Sequence, residues 1–308
     1  MSDDGALSIV VIALLGNPFS PGYARARRRR QGARALDFCA LNVAVYGPRG
    51  RRWALHERSV RDADRDARSV GIGGSRVSWV GDVLVIDLDE RTLPWARPLR
   101  GRVIYRPASA PSAAFSLDGS GLHTWWPVAP EGRIDVSLDE PGVRFSGHGY
   151  HDANAGDAPL ETTFARWTWS RARMGDGRTG IAYDVIERSG DRRLIALDLD
   201  ARRGALTPMA DPCPAPLPIT RWRIQREAHG DASSSPRVLR ELEDTPFYAR
   251  ALVETRLQGR NAVAMHETLS LDRFARSWVQ FLLQFRMRRR GSARSSPCST
   301  RSVRLGSL

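Results

Sequence analysis

Arg133-Ile134-Asp135-Val136-Ser137 alternates water-seeking and water-avoiding side chains one by one. Successive residues of an extended chain point to opposite faces, so this period of two puts Ile134 and Val136 on one face and the polar residues on the other. A helix would repeat every 3.6 residues instead. Working outward, strand-length segments of similar character recur at 7–15, 40–46, 76–80, 83–88, 103–106, 132–138, 143–148, 166–170, 181–187, 194–199, 220–225 and 249–257. Turn-forming pairs such as Gly81-Asp82, Asp118-Gly119, Pro141-Gly142 and Ser189-Gly190 separate them. Glycine supplies the positive φ and aspartate the local hydrogen bond that such turns need. A dozen or more short strands with few long helical stretches predict a mainly β protein built of barrels or sandwiches.

Two stretches stand apart. Arg25-Ala26-Arg27-Arg28-Arg29-Arg30 reads as a solvated loop between strands, or else as a contact for an anion or a lipid surface. Phe274, Trp278, Phe281, Leu282 and Phe285 share one helical face and run into Arg286 and Arg288–Arg290. Such a segment either closes the end of a barrel or rests as an amphipathic element on an anionic bilayer. The Ser- and Arg-rich residues 291–308 predict a disordered tail.

At 42% hydrophobic and 26% charged residues, the composition is that of a folded globular protein, and 308 residues are enough for two domains. All 47 basic residues are arginine. The absence of lysine excludes Schiff-base chemistry and the phosphate-loop and kinase lysines. Because the substitution of arginine for lysine is chain-wide, the net charge of +13 is in part compositional, and no nucleic acid is inferred from it. Cys39, Cys213 and Cys298 are far apart and odd in number, which fits a reducing compartment rather than a disulfide scaffold. The longest apolar run, 6–15, is shorter than the roughly 20 residues a spanning helix needs, and the acidic start Ser2-Asp3-Asp4 is unlike a secretory signal. A cytoplasmic protein is expected, with peripheral contact at the inner membrane surface if the arginine-flanked apolar face is used that way.

Two segments hold the unusual side chains, Gly121-Leu122-His123-Thr124-Trp125-Trp126-Pro127 and Gly147-His148-Gly149-Tyr150-His151-Asp152-Ala153-Asn154-Ala155-Gly156. Alternation places His123 and Trp125 on one face, and His148, Tyr150 and Asp152 on one face with His151 opposite. If both faces line one interior, His123, Trp125, Tyr150 and Asp152 meet in an apolar cavity, a set that packing alone does not call for. The plainer reading is a turn with a satisfied Tyr–Asp hydrogen bond. His148, His151 and Asp152 are metal-ligand types, but alternation separates His151 from the other two, and no metal is predicted. Trp167 and Trp169 share a face as a wall of the core or of a ligand pocket. Hydrolase and dinucleotide signatures are incomplete: Ser75 lacks the second glycine of a nucleophile elbow, and Arg76 stands where Gly71-Ile72-Gly73-Gly74 would need its third glycine.

Gly16-Asn17-Pro18-Phe19-Ser20-Pro21, Cys39 to Gly47, Gly147 to Gly156, Arg166-Trp167-Thr168-Trp169 and His266 to Phe274 together resemble the carotenoid 1,2-hydratases, or hydroxyneurosporene synthases, of photosynthetic bacteria. The resemblance runs from about Asp3 to Arg290. It implies two lipocalin-like antiparallel β-barrel or sandwich domains, expected at 1–165 and 166–290. It also implies cofactor-free addition of water across the terminal C1–C2 double bond of an acyclic carotenoid such as neurosporene or lycopene. The family's His-x-Trp and Tyr-x-Asp fall on His123, Trp125, Tyr150 and Asp152 as the active residues. Family members begin further upstream with an aromatic-rich strand, so the resemblance implies either a misassigned start or a first domain short of an edge. Prolines expected after Phe274 are missing, and the Ser-rich end departs from the family pattern.

Hydrating an unactivated alkene requires a proton at C2 and capture of the tertiary cation at C1. The expected acid is Asp152, kept neutral by burial and aimed by Tyr150 or His123. Trp125 and Tyr150 would stabilise the cation, and His123 would orient the water. The rival reading is a non-catalytic lipocalin-like carrier of a polyene or other lipid, which needs the pocket without the poised acid.

Overall fold

A computed structural model describes residues 1–29, 33–48, 50–210, 212–286 and 288–289. The expected tail at 291–308, together with Cys298, lies outside the described residues. The chain is mostly antiparallel β-sheet, and among the described residues no large sheet closes on itself, so the architecture is of packed open sheets and not of closed barrels.

In the first half, strands Ser8–Leu14, Cys39–Gly47 and Gly50–Arg58 form one sheet, with Arg288–Arg289 added in parallel at its edge. It packs on a larger sheet ordered Val143–Gly156, His123–Glu140, Pro98–Pro107, Val83–Arg91, Ser75–Val80, Ser69–Ile72 and Ala63–Arg65. The core between them takes alternate residues from each strand: Leu41, Val43 and Val45 from one sheet, Leu84, Ile86, Val103, Ile134, Val136 and Leu138 from the other. Leu138 is fully buried, a burial of the kind that stabilises by roughly 1.5–3 kcal/mol per large aliphatic side chain. The alternation quoted from Ile134 and Val136 is therefore the inner row of a sandwich.

In the second half, a seven-stranded antiparallel sheet runs Ala205–Pro208, Arg192–Asp200, Arg178–Glu187, Phe164–Gly175, Arg260–Ser270, Tyr248–Leu257 and Arg237–Asp244. Its core is completed by Leu117 and Trp125 from upstream and by Leu271, Phe274, Val279 and Leu283 from the C-terminal helices. The hairpin of His123–Glu140 with Val143–Gly156 thus serves both cores. Its register shifts between Trp126 and Ala129 and again between Ala129 and Gly132. Each irregularity adds one residue to His123–Glu140; Trp125 lies before both, opposite Asn154, and so shares a face with Asp152 and Tyr150 by alternation along the partner strand. Glycine is required within this hairpin. A Cβ at Gly149 would collide with Ile134 and Tyr105, and one at Gly156 would collide with the His123 ring.

Three local expectations change. Within the described residues the arginine-rich stretch is not a loop: Pro21–Arg28 is a helix, capped by the Ser20 hydroxyl, which accepts from Tyr23 N at 3.1 Å, with Pro21 in the first turn. The segment 220–225 is a turn rather than a strand, with Arg223 at φ 60°, and the strand starts at Arg226. The apolar face at 274–285 is split between two helices, Leu271–Phe274 and Ser277–Arg286. Phe274, Val279 and Leu283 face the core, whereas Trp278, Phe281, Leu282 and Phe285 face outward.

Candidate active site

Asp152 lies where the hairpin covers the second core. Two donors converge on one of its oxygens: Trp125 Nε1 donates to Oδ2 at 2.9 Å and Tyr150 Oη donates to the same atom at 3.0 Å. Oδ1 makes no hydrogen bond with another described residue, and Asp152 retains partial accessibility, so it borders a recess rather than a sealed interior. Burial pushes its pKa up to about 6, against the downward pull of the Trp125 and Tyr150 hydrogen bonds; Glu267 adds to the rise. Among the described residues no cation pairs with it. The Tyr150 phenol is driven well above its ordinary value by burial, then by the Asp152 charge and their hydrogen bond, so it remains a donor.

Aromatic rings surround these groups. Trp125 is fully buried, with Phe115 at 5.6 Å and Tyr183 at 5.4 Å between ring centroids. Tyr150 packs on Trp169 at 5.0 Å, and Trp167 meets Tyr183 at 6.1 Å. The expected tryptophan pair therefore does line the core around Asp152.

His123 is buried nearby but takes other partners. Its Nε2 is 3.1 Å from the Ala158 carbonyl, its Nδ1 is 3.7 Å from Asp118 Oδ1, and its ring meets Phe164 at 4.8 Å. Asp118 also accepts from the His123 backbone N at 2.8 Å, so this carboxylate pins the start of the strand. The hydrogen bonds to Asp152 come from Trp125 and Tyr150 and not from His123. His151, on the opposite face, packs its ring 5.7 Å from Trp79, and burial lowers its pKa to about 4. His148 belongs to another cluster, with Glu131 Oε1 at 3.2 Å and Asp3 Oδ1 at 3.1 Å. Among the described residues no group of three His, Cys, Asp or Glu side chains is arranged to hold a metal ion.

Besides the expected Trp169, the facing sheet contributes residues that the reading of single segments does not single out. Tyr183, Trp169, Glu267 and Arg250 are directly opposite one another across four adjacent strands, and so share a face. Since Tyr183 touches Trp125 and Trp169 touches Tyr150, that face is the one turned to Asp152. Arg250 is almost fully buried; its Nε donates to Glu267 Oε1 at 2.8 Å and its NH1 to the Tyr46 hydroxyl at 2.6 Å, from the first half of the chain.

Known proteins match the chain over most of its length. The family model described as carotenoid hydratase CrtC matches residues 11–296. The acyclic carotenoid 1,2-hydratase of Thiocapsa roseopersicina is 46% identical over 94% of this chain and 71% of its own length. That of Rubrivivax gelatinosus is 40% identical over the same shares, 94% and 71%. The Cereibacter sphaeroides protein of the same name is 35% identical over 91% of this chain and 98% of its own. A solved structure, a putative AttH from Nitrosomonas europaea, superposes with a TM-score of 0.57 at 12% identity, covering 87% of this chain and 88% of that one, which supports the lipocalin-like β fold alone.

Proposed function

The chain belongs to the carotenoid hydratase family, and from that premise we propose that it is a hydro-lyase adding water across the terminal C1–C2 double bond of an acyclic carotenoid such as neurosporene or lycopene. The observation that carries the mechanism is the pair of donors on Asp152 Oδ2. An oxygen that accepts two hydrogen bonds holds its lone pairs toward the donors, so in the neutral acid the proton resides on Oδ1, the atom left to the recess. Asp152 delivers that proton to C2. The tertiary cation then forms against the aromatic faces, of which Tyr150 and Trp169 are the ones next to Asp152 that keep some accessible surface. Ring quadrupoles of this kind stabilise a desolvated cation by up to about 2 kcal/mol. Trp125, enclosed by Phe115 and Tyr183, acts through its N–H, and His123 holds the strand that carries it.

A carrier would need the apolar lining but not a neutral carboxyl fixed by two donors. Incubation of the purified protein with neurosporene or lycopene should give a product heavier by one water; unchanged polyene recovered bound to the protein would favour the carrier.

The substrate is a bilayer solute, and the protein must meet it there. Among the described residues, no helix is long and apolar enough to cross a membrane. The outward side of helix Ser277–Arg286 exposes Trp278, Phe281, Leu282 and Phe285, and Trp222 stacks on Trp278 at 6.1 Å between centroids. Exposed Arg221, Arg223 and Arg276 flank them. Apolar rings bordered by arginine suit the interface of an anionic bilayer. Co-sedimentation with anionic vesicles should exceed that with neutral ones and fall when Trp278 and Phe281 are both changed to Ser; binding indifferent to lipid charge would remove the arginines from this role.

A further inference from the structure

The reaction consumes a water as well as a polyene, and Asp152 accounts for the proton donor only. Across the recess, the row Tyr183–Trp169–Glu267–Arg250 carries a second carboxyl group. Arg250 occupies Glu267 Oε1 at 2.8 Å, and Oε2 makes no hydrogen bond with another described residue. Two buried polar atoms of the same sheet, Trp169 Nε1 and Tyr248 Oη, also have no hydrogen-bond partner among the described residues. Tyr248 lies opposite Leu269, two positions along from Glu267, and its ring is 5.3 Å from the Arg250 guanidinium. Burial lifts its phenol well above the ordinary range, so it carries a proton to donate. Buried polar groups are almost always satisfied, and those that are not commonly mark a place for water or for catalysis.

We propose that Glu267, with Trp169 Nε1 and Tyr248 Oη, seats the attacking water, and that Glu267 is a catalytic residue that takes that water's proton. This rests on the hydratase reading and extends it to a second carboxyl. The step balances. The alkene π pair takes the proton from Asp152 Oδ1 and makes the C2–H bond; a lone pair of the water makes the C1–O bond; the water loses one proton to Glu267 Oε2. Asp152 ends as carboxylate and Glu267 as acid, and one proton passing between them through solvent restores both. An acid and a base on opposite sides of the reacting carbon is the division of labour used by glycosidases that invert. The groups facing Asp152 are Tyr150 on its own strand, Trp125 on the paired strand, and Tyr183 and Glu267 on the opposing sheet; Arg250, Tyr248, Glu243 and Tyr46 surround Glu267 on its far side.

The test is deuterium incorporation alongside hydration in D2O, comparing the wild type with Glu267→Gln and Asp152→Asn, each checked for fold by circular dichroism. Glu267→Gln should lose hydration by about 100-fold or more while still placing deuterium at C2 and returning alkene, since protonation no longer leads to capture. Asp152→Asn should do neither, and Glu267→Asp should recover part of the hydration. Hydration by Glu267→Gln within a few-fold of the wild type overturns the proposal, as does loss of deuterium exchange together with hydration. A wild type that hydrates neither polyene overturns the hydratase reading and this step with it, which the wild-type arm reveals separately. Independently of turnover, the infrared carbonyl band of neutral Asp152 should titrate at lower pH in Glu267→Gln than in the wild type. Equal titration would show that the two carboxyls do not share the recess, and would also overturn the proposal.

Discussion

Glu131 and Asp152 lie on the same hairpin, both are withdrawn from solvent, and they are treated in opposite ways. Glu131 is surrounded by countercharge: it pairs with Arg171, with Arg173 Nε at 3.1 Å, with the Thr179 hydroxyl at 2.8 Å and with His148 Nδ1 at 3.2 Å. Asp152 receives two neutral donors on one oxygen and, among the described residues, no cation. The first arrangement holds the seam between the two halves of the chain, because Arg171, Arg173 and Thr179 belong to the second sheet. The second leaves a carboxyl that gains by keeping its proton. What distinguishes these two carboxyls is therefore not burial but the sign of what surrounds them.

The contrast is broken or sharpened most strongly at Asp152. Asp152→Asn should lower hydration by about 10²–10⁴-fold, the usual contribution of a placed acid. The same variant should be more stable than the wild type in neutral solution. The folded-state pKa of about 6 lies above the ordinary 3.8, so stability tied to the neutral group is fully present below pH 3.8 and lost as pH rises through 6. Asparagine cannot ionise, and urea titrations should show a gain of up to about 3 kcal/mol at pH 8 that vanishes near pH 4. A destabilised Asn variant at pH 8 would mean that the carboxylate is welcome in the fold.

Glu131→Gln should instead destabilise the protein. Leaving Arg171 buried without its anion costs about 3–5 kcal/mol in the same urea titration, while hydration per folded molecule stays within a few-fold. A variant that kept its stability and lost turnover would erase the distinction between the two carboxyls.

Smaller effects concern how Asp152 is tuned. Wild-type kcat/KM should fall about tenfold per pH unit once pH passes 6, because only the neutral acid donates. Trp125→Phe keeps a ring and removes a donor that favours the carboxylate, so the Asp152 pKa should rise and the alkaline limb should move up by about one unit, with partial activity retained. A limb that moves down would reverse the assigned role of the indole N–H.

Alternation along single strands was enough to bring out the mainly β fold and to put His123 with Trp125, and Tyr150 with Asp152, on one face each; that the two faces coincide follows from the register that sets Trp125 opposite Asn154. It worked because each pair is two residues apart on a stretch of strand to which the irregularities between Trp126 and Gly132 add no residue. Glu267 was out of its reach: the glutamate joins Asp152 only through strand order, which pairs Phe164–Gly175 with Arg260–Ser270 despite their distance along the chain. Glu131, flanked by Pro130 and Gly132, sits inside the irregular stretch, where local period says nothing about neighbours. The helix Pro21–Arg28 did leave a signal, Ser20 followed by Pro21, which the run of arginines obscured. The turn at 220–225 has apolar residues at strand-like spacing, but Ile224 faces the core while Trp222 faces outward, as a bend allows and a strand of even spacing does not.

The hairpin His123–Glu140 and Val143–Gly156 has one further consequence. Because the same two strands floor one core and roof the other, the halves have no hinge between them at this point and cannot melt in turn without tearing a shared ladder of backbone bonds. Heating should accordingly give a single calorimetric peak, and damage to the first sandwich, far from any reacting atom, should reach the recess through that common beam.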